Sequence, residues 1–300
     1  MNYEENFLIK NENVYSGALS CRGCGWTLLV RHLSSILGED TVYVVPASCF
    51  SIIAGPYPMS TIKGTIVHTL FAAASATASG VRAALDRQKN NDSHVVVLAG
   101  DGGTFDIGLQ ALSGSASRGE NILYVCNNNG AYMNTGVQSS TATPFGAVTT
   151  TNPSGKRTWP KNLIDLVSAH NIPYLATASL AFLDDFRAKV LKAKDKTGFR
   201  FLMVDSPCPP GHKYPPEMSI DISRQVVETR LFPLLEVENG KYHVNYIPKT
   251  ELPVEPLLKL QGRFSSLFKN GKESDLKEIQ DHVDKEWNML LTKEAITNER

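Results

Sequence analysis

Five short runs of β-branched and apolar residues, Thr41–Val45, His94–Ala99, Ile122–Cys126, Tyr174–Ala178 and Phe201–Val204, recur along the chain with helical patterns between them. Strands that lack polar alternation suit a sheet covered on both faces, which is the situation of parallel sheets. The intervening helices are expected at Gly25–Leu37, Ile66–Asp86, Asp106–Arg118, Leu163–His170 and Leu180–Lys194. This alternation predicts an α/β fold built on a doubly wound, mainly parallel sheet. Residues 1–240 are read as that α/β domain and 241–300 as a helical C-terminal extension. Helices are expected at Ile220–Leu235, Val254–Phe268 and Glu273–Leu291, the last two joined by the polar KNGK. The last carries a stripe of Leu276, Ile279, Val283, Trp287 and Leu290 or Leu291, which suits either a cover for the chain's own sheet or a tail on a partner subunit.

Charge narrows the classes of function. Thirty Lys and Arg balance thirty Asp and Glu, so the general attraction to nucleic acid or an anionic membrane is missing. The uncharged stretches Thr41–Ile62 and Gly64–Val81 hold, respectively, three prolines and many small residues, which fits packing in protein better than in lipid. The opening MNYEENFLIK lacks the basic then apolar pattern of a signal peptide. A cytoplasmic location with no membrane attachment is expected, and therefore reduced cysteines available for metal or catalysis.

Four of the five cysteines stand beside turn residues: Cys21 and Cys24 in SCRGCG, Cys49 after the first strand, and Cys208 in SPCPPG after the fifth. Strand ends in a doubly wound sheet converge on one edge, so these thiols can meet at one centre, zinc or an iron–sulfur cluster. A redox CxxC and unrelated thiols are the other readings. Cys126 lies inside a strand and reads as a small core residue.

A second constellation opens at the end of the strand His94–Ala99, where Gly100, Asp101, Gly102 and Gly103 lead into a helix. Glycines admit a ligand close to the backbone, helix-start N–H groups attract phosphate, and Asp101 offers oxygen to Mg²⁺. At the next strand end stand Asn127, Asn128 and Asn129, so the Asn129 amide and the Ala131 carbonyl can complete the metal's protein ligands. Gly–Asp–Gly alone is also a common turn.

The two motifs together resemble the signature of thiamine diphosphate enzymes. With CxxC, GDGGTFDIGLQALSGS, AYMNTGVQSSTATPFGA and PCPPG, the chain from about Cys21 to Phe268 resembles the β subunit of 2-oxoacid:ferredoxin oxidoreductases, most closely the pyruvate type. The resemblance implies a diphosphate-binding fold in which Cys21, Cys24, Cys49 and Cys208 hold a 4Fe-4S cluster. It implies Mg²⁺ on Asp101, Asn129 and the Ala131 carbonyl, with Asn134 and Thr135 lining the diphosphate and thiazolium and Asn134 as the candidate catalytic residue. Trp26 departs from relatives that often carry a small or acidic residue there, and its ring is expected to shield the cluster or touch the cofactor.

The implied activity is oxidative decarboxylation of a 2-oxo acid, pyruvate with coenzyme A first, oxalate, phenylglyoxylate or a branched-chain acid otherwise. The implied partners are an α-type subunit carrying the pyrimidine-binding domain and its Glu, γ and ferredoxin-like δ subunits or domains, and ferredoxin. A non-redox thiamine diphosphate decarboxylase and a zinc-binding or electron-carrier protein are the rival readings. Among other residues, His68 reads as a packing or cofactor-facing residue of an Ala-rich helix, and Asp106 as a helix N-cap. Lys156, Arg157 and Lys161 read as solvated loop charges within the irregular stretch Met133–Asn162.

Overall fold

Residues 96 and 98 of one strand point to one layer of helices and 95, 97 and 99 to another, and all five are apolar and buried. That is the physical origin of the unbroken apolar runs. The computed structural model describes residues 12–269 and 273–299; the N-terminal segment 1–11 and residues 270–272, most of the KNGK link, lie outside the described residues.

In chain order the elements are α1 (Gly25–Leu37), β1 (Thr41–Pro46), α2 (Cys49–Ile53), β2 (Thr65–Thr69), α3 (Ala74–Arg87) and β3 (His94–Gly100), then a π-helical turn (Gly102–Ile107), α4 (Leu109–Ser117) and β4 (Leu123–Asn128). There follow α5 (Leu163–Ser168), β5 (Tyr174–Ser179), α6 (Leu183–Asp195), β6 (Arg200–Asp205), α7 (Pro209–His212), α8 (Ser219–Glu228), β7 (Leu235–Glu238), β8 (Lys241–Val244), α9 (Val254–Lys259), a 3₁₀ segment (Gly262–Phe268) and α10 (Glu273–Asn298). The sheet order is β2-β1-β3-β4-β6-β5-β7-β8, with the first six strands parallel and β7 and β8 added antiparallel. The doubly wound α/β prediction stands.

One face of the sheet buries Trp26, Leu29, Leu33 and Phe186 of α1 and α6; the other buries Ala78, Leu112, Trp287 and Leu290 of α3, α4 and α10. The C-terminal stripe packs on the chain itself: Trp287 and Leu290 cover the sheet, while Ile279 and Val283 pack against Phe145, Val254, Leu258 and Phe264. Residue 240 falls at the turn of the β7–β8 hairpin.

Several expected elements differ. The helix expected at Ile66–Asp86 divides into β2 and α3, which places His68 exposed on the edge strand, paired beside Val45, rather than packed in a helix. The helix expected from Asp106 begins instead with the π turn, in which Gly108 N–H donates to Gly103 O at 3.0 Å. The helix Ile220–Leu235 ends at Glu228, because its last residue opens β7. The helix Val254–Phe268 is α9 followed by the 3₁₀ segment.

Candidate functional site

The carboxyl ends of β1, β3, β4 and β6 are neighbours in the sheet, and each is followed by one of the segments singled out above. Open α/β sheets bind ligands at this edge. Asp101 follows β3 and is 1% exposed. Burial pushes its carboxyl up to about 7, against hydrogen bonds from the Ser140 hydroxyl and backbone N–H groups that favour the anion.

Facing it, the Asn129 side-chain oxygen stands 2.9 Å from Asp101 Oδ1 and 3.0 Å from the Ala131 carbonyl oxygen. Turned over, the amide donates from its nitrogen to both acceptors; with a cation bound between them, its oxygen would face the same point. Adjacent oxygens on an octahedral Mg²⁺, with bonds of 2.0–2.1 Å at right angles, are about 2.9 Å apart. The donor set thus fits a hard divalent cation, which the three residue types suit as well.

The glycines around Asp101 have unequal roles. A Cβ on Gly102 would lie 2.5 Å from the Tyr132 ring, whereas on Gly100 it would meet only Ser48 Cβ at 3.9 Å. Tyr132 in turn donates its hydroxyl to Asp106 Oδ2 at 2.9 Å, and Thr141 N–H donates to the same oxygen at 3.1 Å. Asp106 is therefore a clasp that fastens the 132–141 segment onto the π turn, and the N-cap expectation is corrected.

The cysteines surround one cavity. Cys21, Cys24, Cys49 and Cys208 line a space of about 180 Å³ whose wall also includes Trp26, Asn129 and Asn134. Cys24 is the N-cap of α1, Cys49 opens α2 and Cys208 is the N-cap of α7. Burial and the charges of Cys208, Cys24 and Cys21 push the Cys49 thiol up to about 12, and burial pushes Cys208 up to about 11. In Cys24, burial also raises the thiol while the N–H groups of Trp26 and Thr27 favour its thiolate. The Cys24, Cys49 and Cys208 thiols stay protonated near neutrality unless a positive centre draws their charge. Among the described residues no three His, Cys, Asp or Glu side chains gather tightly enough for one metal ion. A tetrahedral zinc at 2.3 Å would need sulfurs about 3.8 Å apart.

Trp26 is buried and stacks on Phe50 at 5.0 Å between ring centres, forming part of the cavity wall. Cys126 is sealed inside β4, as expected. Asn134 is exposed on the cavity's lip, and Thr135, also exposed, donates to Gln138 Oε1. Lys156 corrects the solvated reading: it is buried and donates to the carbonyls of Ser140, Thr141 and Thr143 at 3.1, 3.3 and 2.8 Å. Arg157 pairs with Asp275 at 2.6 Å, and Lys161 donates to the Phe105 carbonyl and lies 3.8 Å from Asp106.

Two contributors escaped the sequence. Ser140 donates to Asp101 Oδ2 from the irregular stretch. His212, on α7 four residues after Cys208, reaches the Asn129 carbonyl with Nε2 at 2.7 Å, tying the cysteine strap to the Asp101 side. Its position within PCPPGH was the available signal.

Residues 47–204 match the thiamine pyrophosphate enzyme C-terminal TPP binding domain. The chain is 46% identical over 291 residues to ketoisovalerate oxidoreductase subunit VorB of Pyrococcus furiosus, covering 93% of this chain and 92% of that one. It is 40% identical over 293 residues to pyruvate synthase subunit PorB of Methanocaldococcus jannaschii, covering 94% and 97%. The chain belongs to the β subunits of the 2-oxoacid:ferredoxin oxidoreductases. In fold, this β subunit is similar to a chain of the Magnetococcus marinus 2-oxoglutarate:ferredoxin oxidoreductase solved with 2-oxoglutarate, coenzyme A and succinyl-CoA bound. The TM-score is 0.60 at 22% identity, covering 91% of this chain and 96% of that one. The β subunit is thus an oxidoreductase component with a thiamine diphosphate-binding domain, as the sequence motifs implied. No helix among the described residues is long and apolar enough to cross a membrane.

Proposed function

We propose that the β subunit binds thiamine diphosphate through Mg²⁺ on Asp101, Asn129 and the Ala131 carbonyl, and a 4Fe-4S cluster on Cys21, Cys24, Cys49 and Cys208. The reaction is oxidative decarboxylation of a 2-oxo acid, pyruvate first: pyruvate and coenzyme A give acetyl-CoA and carbon dioxide, and the electron pair leaves through ferredoxin. When bound, thiamine diphosphate supplies the electron sink for decarboxylation and the cluster supplies single-electron transfer. Asp101 and Asn129 orient the diphosphate through the metal, Gly102 lets the Tyr132 ring close on the turn that carries Asp101, and Asn134 lines the cysteine cavity. Trp26 and the prolines around Cys208 keep water from the cysteine cavity.

The carrying observation is the Asn129 side-chain amide set 2.9 Å from Asp101 Oδ1 and 3.0 Å from the Ala131 carbonyl oxygen, with Asn129 also lining the cavity ringed by four cysteines. That no three such ligands among the described residues gather tightly enough for one metal ion favours a cluster over a single zinc ion. A branched-chain substrate is the second reading, favoured by the higher identity to the ketoisovalerate relative.

Asp101→Asn keeps the shape and removes the charge. In the assembled complex, Mg²⁺-dependent thiamine diphosphate binding measured by calorimetry is expected to weaken at least about tenfold, the scale of losing a charge-assisted contact of about 1.5–3 kcal/mol. Iron and acid-labile sulfide are expected near one to one, and Cys49→Ala is expected to lose both. Unchanged cofactor affinity in Asp101→Asn, or wild-type iron in Cys49→Ala, overturns the corresponding half. A substrate panel with a viologen dye under anaerobic conditions decides between pyruvate and branched-chain acids.

A further inference from the structure

A second cavity of about 330 Å³ lies between the sheet and the C-terminal segments, lined among others by Phe145, Met203, Phe232, Leu258 and Phe264. It is separate from the cysteine cavity; among the described residues Asn129 alone borders both. Into this largely apolar wall the 3₁₀ segment delivers Arg263, whose backbone is pinned by Val148 N–H donating to its carbonyl at 2.7 Å.

Among the described residues the Arg263 guanidinium forms no hydrogen bond or ion pair; its Nε is closed off without a partner, and its ring contact is Phe264 at 4.9 Å. Burial lowers its pKa to about 10 against the attraction of Asp205, Tyr214, Cys208 and Asp101. Gln261 Oε1, on the same wall, is also buried without a partner. Asp205 borders the cavity too, and burial pushes its carboxyl up to about 7 against the attraction of Arg263. A guanidinium fork with five N–H groups fits a carboxylate or a phosphate. The apolar wall and the nearby Asp205 disfavour a multiply charged phosphate and favour a singly charged head with an aliphatic body. A volume of about 330 Å³ is at the small end of ligand pockets, which run from about 300 to 1,000 Å³. Its exposed end lies between α5 and α10, beside the Lys293–Asp165 pair.

We infer that this cavity is a binding site for a small aliphatic monocarboxylate, with Arg263 as its anion anchor. This goes beyond the proposed function and does not depend on it. Isovalerate is the probe, because it lacks the oxo group of a substrate; it is titrated calorimetrically into the assembled complex with thiamine diphosphate and Mg²⁺ present, and isovaleramide is the neutral control. Isovalerate is expected to bind saturably and isovaleramide not. Arg263→Gln is expected to weaken isovalerate at least tenfold while cofactor binding and turnover of 2-oxo acid persist. Ala142→Leu, which fills the apolar wall and leaves the guanidinium, is expected to weaken it as well, and carries the test if Arg263→Gln fails to fold. Equal binding of acid and amide, no binding of either, or full affinity in both variants overturns the site and leaves Arg263 and Asp205 as a water-bridged pair. Cofactor and iron loading are read separately, so failure here leaves the catalytic assignment untouched.

Discussion

Gly102 and Gly100 flank Asp101 in the sequence as equals, yet only one has a neighbour that forbids a side chain. A methyl on Gly102 would press into the Tyr132 ring at 2.5 Å, and Tyr132 is the residue whose hydroxyl holds Asp106. Gly102→Ala is therefore expected to destabilise the fold by about 1–3 kcal/mol, the range for forced overpacking, and to weaken Mg²⁺-dependent cofactor binding by releasing the 132–141 segment. Gly100→Ala is expected to leave the melting temperature nearly unchanged. Thermal melts of both variants check the contrast, and equal loss in both would refute the steric assignment. At this scale, sequence reasoning singled out Asp101, Asn129 and the cysteines, which the fold brings to one sheet edge, because residue type and motif mark them. It missed Ser140 and His212, whose significance comes from what they touch across the fold. It misjudged Lys156, since nothing in TNPSGKR marks a lysine whose three acceptors come from a neighbouring turn.

Helices and strands succeeded or failed for comparable reasons. The five apolar strands and α1 were legible because both-face burial and amphipathic spacing act locally. The β7–β8 hairpin was missed although Asn239 and Gly240, with φ of 51° and 78°, supply the paired positive angles of a two-residue hairpin turn. β2 was absorbed into the Ala-rich pattern that follows it, and the π turn depends on a five-residue backbone bond that no side chain announces. The packing of α1 on α6 yields a pH prediction. His32 of α1 is buried with Arg187 Nη1 3.1 Å from its Nδ1, and burial, then Arg187 and Arg31, lower its pKa to about 4 against a smaller opposing pull from Glu12. The unfolded chain takes a proton here near pH 6.5, while the folded chain stays neutral to about 4. Stability is therefore full above pH 6.5 and falls between about 6.5 and 4, with this residue contributing a slope of about 1.4 kcal/mol per pH unit. Denaturant melts from pH 7.5 to 4.5 should show a shallower fall in His32→Gln; identical slopes would remove His32 as the cause. At the other end of the chain, Trp287→Ala is expected to cost about 3–5 kcal/mol, because the indole is buried against the sheet's second face.

On the whole molecule, large apolar side chains stand in water near the catalytic edge. Tyr57 is 97% exposed, Leu70 80% and Met59 77%, and Leu19 and Ile52, also exposed, line the cysteine cavity. Exposed apolar area of this kind marks contact surfaces, and its position beside the strand ends suits the proposed α-type partner, since thiamine chemistry also requires a Glu on the aminopyrimidine. Among the described residues no glutamate lines the cysteine cavity. Tyr57→Asp combined with Leu70→Asp is therefore expected to leave the melting temperature of the isolated chain nearly unchanged while shifting it from the complex to the free fraction in size-exclusion chromatography. The same dependence governs catalysis. The isolated chain, loaded anaerobically with iron, sulfide, thiamine diphosphate and Mg²⁺, is expected to reduce viologen with pyruvate at a small fraction of the rate of the complex, and adding the α-type partner is expected to restore it. Full turnover by the isolated chain would mean that a proton-transfer group within its own sequence serves the aminopyrimidine, and the search for it would begin at the exposed residues around Asn134.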